Sequence, residues 1–130
     1  KIFCDIADYK IIKSFNKKNI VDGFTTNPSL MRLAGAKNYR EYCKKILRVC
    51  KKKPISFEVF ADEYSSMKKQ AIDINSWGKN VFVKVPIINS KGIFMGKIIK
   101  ELKNDKEGVI TSKIASSLPK KLRSIIPSLK

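Results

Sequence analysis

An α/β fold, with parallel strands covered by helices, is predicted by three features of this 130-residue chain. Short runs rich in Ile, Val and Phe alternate with stretches of helical apolar spacing. Strands separated by helices of this length are joined by right-handed crossovers, which makes the sheet parallel. Each run also carries a polar residue late in its length. On pattern alone a doubly wound sheet and a (β/α)₈ barrel both remain open. A full barrel usually takes ~200 or more residues, so this chain is expected to hold about half of one, some four βα units.

The elements follow in order. Ile2 to Ile6 reads as the first strand, and Ile11, Ile12 and Phe15 give a short helix after Asp8. Val21 to Thr25 is the second strand. Tyr39, Tyr42, Cys43, Ile46, Leu47 and Cys50 form a helical stripe. Pro54 to Phe60 is the third strand, followed by a stripe at Tyr64, Met67, Ala71 and Ile74. Val81 to Val85 is the fourth, and Ile98, Ile99 and Leu102 suggest a further helix, after which Glu107 to Thr111 is placed as the start of a fifth strand.

Composition removes several classes of function. Lys+Arg number 28 against 11 Asp+Glu, a formal net charge of +17, yet lysine is scattered through every segment, a bias that genome composition alone can produce. Such a chain attracts polyanions non-specifically, but no RNP aromatic pattern, KH-type G-x-x-G loop or zinc finger accompanies the charge, and specific nucleic-acid binding is not expected. With no histidine, Ser-His-Asp triads and imidazole proton shuttles are excluded. Cys4, Cys43 and Cys50 include no C-x-x-C pair and read as small buried hydrophobes, so no metal site is expected. No apolar run approaches the ~18 to 20 residues of a membrane helix, and Ile2-Phe3-Cys4-Asp5 opens no long signal-type run. The expectation is a soluble, cytoplasmic protein that does not engage a membrane.

Alternation assigns the strand faces. Asp5 falls with Phe3 opposite Ile2, Cys4 and Ile6; Thr25 falls with Asn27; Ser56 and Glu58 oppose Ile55, Phe57 and Val59; Lys84 opposes Val81, Val83 and Val85. Late polar residues of parallel strands converge where α/β folds carry out chemistry. A single lysine between valines can simply snorkel from a sheet edge, but four polar residues on four consecutive strands make a site. Burial between valines disfavours the ammonium form of Lys84, and a neutral amine can attack a carbonyl. Glu58 or Asp5 is then placed to move the protons of Schiff-base formation, directly or through a water.

Phe3-Cys4-Asp5-Ile6-Ala7, Asp22-Gly23-Phe24-Thr25-Thr26-Asn27-Pro28-Ser29-Leu30, Ser56-Phe57-Glu58-Val59 and Val81-Phe82-Val83-Lys84-Val85-Pro86 resemble, in this order, the motifs of transaldolases and the related fructose-6-phosphate aldolases. The resemblance spans Lys1 to about Glu107. It implies a (β/α)₈ barrel and a class I aldolase-type mechanism with no metal or organic cofactor and a sugar phosphate as substrate. Lys84 matches the lysine that forms a Schiff base with a ketose donor. Asp5 matches the aspartate that handles the donor hydroxyl proton during carbon–carbon cleavage. Asn27 matches a residue that hydrogen-bonds the bound dihydroxyacetone unit, and Thr26 and Ser29 are placed with the substrate-binding residues by the same string. Thr25 with Glu58 matches the pair that holds the catalytic water. Glutamate at position 58, where the aldolases carry glutamine, favours transfer of dihydroxyacetone over its release, with the aldolase as the alternative.

The domain reading is residues 1–107 as the N-terminal part of such a barrel and 108–130 as a divergent basic tail. Gly108-Val109-Ile110-Thr111-Ser112-Lys113 stands where the family's fifth strand shows Asn-x-Thr, and from Gly108 to Lys130 the chain carries Lys113, Lys120, Lys121, Arg123 and Lys130 with no acidic and no aromatic residue. Ile114 to Leu122 offers at most a brief coil. A frameshifted or otherwise truncated end is expected, against the alternative of a natural basic tail; a coding sequence with no family-like later strands in any frame contradicts the frameshift. A partial barrel leaves unpaired strand edges, so self-association or a homo-oligomer is expected. The family's phosphate site is built largely from later strands. An inactive fragment, and a basic module that holds nucleic acid through its tail with steep salt dependence, are the competing readings.

Overall fold

The computed structural model describes residues 1–104. The expected fifth strand at Glu107 to Thr111 and the tail reading for 108–130 lie outside these residues. Four strands, β1 (Phe3–Asp5), β2 (Gly23–Thr25), β3 (Ile55–Glu58) and β4 (Val81–Lys84), form one parallel sheet in the order β1-β2-β3-β4. Helices α1 (Tyr9–Asn16), α2 (Pro28–Leu33), α3 (Tyr39–Val49), α4 (Tyr64–Asn75) and α5 (Gly96–Asn104) alternate with them. Sequential neighbours throughout, without the reversal of a doubly wound sheet, match a partial (β/α) barrel.

Local chemistry explains the helix starts. Asp8 accepts from the amides of Lys10 (2.8 Å) and Ile11 (3.0 Å), and Asn38 accepts from Glu41 N (3.1 Å), satisfying donors that have no intrahelical partner. The short helix α2 adds to the expected elements, and Asn27 as cap with Pro28 in the first turn forms a recognisable start signal for it. The strands are shorter than the apolar runs that announce them. Ile2, for instance, is 63% exposed, with its amide held by Asp22 (2.6 Å).

The helix-covered face of the sheet is the core. Phe24, Ile55, Phe57 and Val83 are fully buried with Ile12, Cys43, Ile46, Met67, Ile74, Ile98 and Leu102 from the helices. At full burial each large side chain contributes roughly 1.5–3 kcal/mol of transfer free energy. Gly23 is required on the other face: a Cβ there would lie 2.5 Å from Phe3 Cε1 and 2.7 Å from the Pro54 carbonyl oxygen. Below the sheet, Asn80 Nδ2 donates to the Cys50 and Lys53 carbonyls, both at 2.8 Å, tying the loop before β3 to the start of β4. Among the described residues no helix is long and apolar enough to cross a membrane.

Candidate active site

Strand register gathers the late polar residues. Asp5 stands beside Thr25, Thr25 beside Ser56, and Glu58 beside Lys84. Register neighbours in a parallel pair share a face, and residues two apart on one strand do too. Asp5, Thr25, Ser56, Glu58 and Lys84 therefore line the face opposite the helices, as alternation predicts.

Lys84 is 9% exposed. Its Nζ donates to the Thr26 carbonyl at 2.9 Å and lies 3.5 Å from Glu58 Oε2. Both charged groups are largely withdrawn from water, their side chains 11% and 15% exposed. Burial pushes the Glu58 carboxyl above its ordinary value, and the adjacent Lys84 only partly pulls it back; Asp5 adds a further upward push. A carboxylate with raised proton affinity beside a lysine amine is suited to receive that amine's proton. On the neighbouring pair of strands, Thr25 Oγ1 donates to Asp5 Oδ1 at 2.8 Å, with Asp5 exposed. Thr25 is thus paired with Asp5, and Glu58 with Lys84.

The remaining expected residues are distributed differently. Thr26 is fully buried and its hydroxyl donates to the Ser56 carbonyl (2.8 Å), so it meets Lys84 through its backbone oxygen. Asn27 Oδ1 accepts from Leu30 N (2.8 Å) as the cap of α2, and Ser29 sits exposed in that helix. The cysteines sit as expected for small hydrophobes: Cys43 and Cys50 are buried and Cys4 half-buried, all three free thiols. Burial pushes Cys43 up to about 12 and Cys50 to about 11, which keeps both as unreactive thiols.

Two features carry no distinct sequence signal. Tyr39 Oη donates to the Glu58 carbonyl (2.9 Å) and accepts from the Glu58 amide (3.0 Å); in the sequence it is one more member of an apolar stripe. The loops after β3 and β4 are also clasped, Asp62 accepting from Ser90 N (2.7 Å) and Ser90 Oγ (2.6 Å), and Glu63 pairing with Lys91 (2.7 Å). A cleft of about 250 Å³ follows the polar face toward the strand starts, lined by Phe3, Thr25, Pro54, Ser56 and Phe82 among others. It reaches Thr25 and Ser56, whereas Lys84 and Glu58 sit at the strand ends above it.

Residues 2–112 match the family model described as transaldolase/fructose-6-phosphate aldolase. The chain is 36% identical over 101 residues to a probable transaldolase of Dehalococcoides mccartyi, covering 78% of this chain and 47% of that protein. It is 40% identical over 87 residues to a probable transaldolase of Sinorhizobium medicae and 41% over 87 residues to one of Brucella anthropi, in each case 67% of this chain and 39% of the relative. The match therefore spans less than half the length of these curated relatives.

Proposed function

The chain belongs to the transaldolase/fructose-6-phosphate aldolase family, and we propose that its strand-end cluster forms a Schiff base with a ketose phosphate and transfers a dihydroxyacetone unit to an aldehyde acceptor. The observation that carries this reading is the buried Lys84 amine 3.5 Å from a carboxylate of raised proton affinity, on the face that also presents Asp5.

In this reading Lys84 gives a proton to Glu58 and its free amine attacks the C2 carbonyl of the donor. Glu58 returns the proton to the departing hydroxyl, and water leaves as the iminium forms. Asp5 takes the C4 hydroxyl proton; the C3–C4 bonding pair moves into the iminium, releasing an aldehyde and leaving a three-carbon enamine on Lys84. That enamine attacks the acceptor aldehyde, and hydrolysis frees the new ketose and the lysine. Asn27, with Oδ1 committed to its helix cap, keeps Nδ2 to donate to the dihydroxyacetone oxygens.

Glutamate at position 58, where the family's aldolases carry glutamine, supports transfer over release. The test is incubation with fructose 6-phosphate, with and without a four-carbon aldose phosphate. A seven-carbon ketose phosphate formed only with the acceptor is expected. Free dihydroxyacetone as the main product supports the aldolase alternative instead, and neither product from a folded chain contradicts the proposal.

A further inference from the structure

The β2–β3 ladder changes partners at the rung beside the candidate site. Thr26 N donates to the Ser56 carbonyl at 3.1 Å in ordinary parallel fashion, and the next rung of such a ladder runs from Glu58 N to the Thr26 carbonyl. Instead the Glu58 amide donates to Tyr39 Oη (3.0 Å), Tyr39 Oη donates to the Glu58 carbonyl (2.9 Å), and the Thr26 carbonyl accepts from Lys84 Nζ (2.9 Å). Alternate residues of β3 point their backbone groups to opposite neighbours: Ile55 and Val59 donate to the β4 side, at the Asn80 and Lys84 carbonyls. Both backbone groups of Glu58 therefore face β2, and one phenol occupies both.

We propose that Tyr39 is a positioning residue for Lys84, substituting for β2 at the Glu58 peptide so that the Thr26 carbonyl is released to hold the lysine amine. The substitution is possible because β2 ends at Thr25 and the chain turns into α2 from Pro28, so β2 does not continue alongside the Glu58 peptide. Asn38 caps α3 so that Tyr39 is its first residue, and Phe60 packs edge-on against the ring at 5.0 Å. Buried amide and carbonyl groups are costly to leave unpaired, so the phenol and the lysine each complete a bond that the other makes available. The consequence for catalysis rests on the Schiff-base reading; the hydrogen-bond exchange itself does not.

Tyr39→Phe in the full chain keeps the ring and removes the hydroxyl. The Glu58 amide is then expected to turn to the Thr26 carbonyl and displace Lys84. A through-hydrogen-bond coupling from Glu58 N to the Thr26 carbonyl carbon, absent in the parent where that amide bonds the phenol, should then appear by NMR. Reductive trapping of fructose 6-phosphate at Lys84 should slow by roughly tenfold to a hundredfold through misplacement of the amine. A folded Tyr39→Phe in which that coupling does not appear overturns the proposal. If the parent traps no sugar, the Schiff-base reading fails while the coupling still decides the role of Tyr39. Should the variant not fold, the parent supplies the answer: an NOE between the Tyr39 ring edge and the Glu58 amide proton supports the exchange, and a through-hydrogen-bond coupling from Glu58 N to the Thr26 carbonyl carbon contradicts it.

Discussion

The two faces of the sheet are built from alternate residues of the same strands, yet one is closed and apolar and the other gathers the polar groups. Under the helices, Phe24, Ile55, Phe57 and Val83 are fully buried and close-packed. On the opposite face Asp5 is exposed, Thr25 bonds to it, and Glu58 and Lys84 hold each other while retaining slight exposure. On the proposed function stability is supplied by one face and reactivity by the other, so substitutions one residue apart on a strand should report on different properties.

The largest stability change expected is for Phe57→Ala, which opens a cavity beneath the helices and should cost about 3–5 kcal/mol, read as a fall in the urea midpoint. A trapping loss at an unchanged midpoint would break the division between faces. Next come the two helix caps. Asp8→Ala and Asn27→Ala should each cost about 1 kcal/mol, but only Asn27→Ala should also slow covalent trapping of the donor, because Asn27 keeps Nδ2 for the donor beyond its cap bond whereas Asp8 bonds the amides of its own helix. Equal trapping rates in the two variants would remove Asn27 from the site.

The smallest effect is the pH dependence contributed by Glu58. Its folded value is raised, so between the ordinary carboxylate range and that raised value the folded chain holds a proton the unfolded chain has released. Stability therefore falls as pH rises through that window. Glu58→Gln should flatten this decline in urea midpoints measured across the acidic range. A decline of the same slope in the variant would mean that other groups produce it.

Much of this arrangement is legible in the sequence because β-strand geometry has a period of two. Val-Phe-Val-Lys-Val and Ser-Phe-Glu-Val each announce their face, and parallel pairing brings Glu58 and Lys84 to the same level. The helix stripes are equally plain from their spacing. The pairing of Thr25 with Asp5 is not legible, because two strands' worth of register decides which oxygen a hydroxyl reaches. Nor is the role of Tyr39, whose place in an apolar stripe conceals that β2 departs at Thr26 and leaves a peptide for it to bind. Thr26 draws attention through its side chain, whereas its backbone oxygen is what meets Lys84. Helix α2 has a start signal in Asn27-Pro28, but its six residues carry too few apolar positions to show a period.

The central claim is that Lys84 is the reacting amine among the many lysines of this chain. Intact mass after borohydride reduction with fructose 6-phosphate, followed by peptide mapping and with Lys84→Met as control, tests it most directly. A single adduct confined to the Lys84 peptide and absent from Lys84→Met is the predicted result. An adduct that persists in Lys84→Met, or none at all in a folded parent chain, would contradict it.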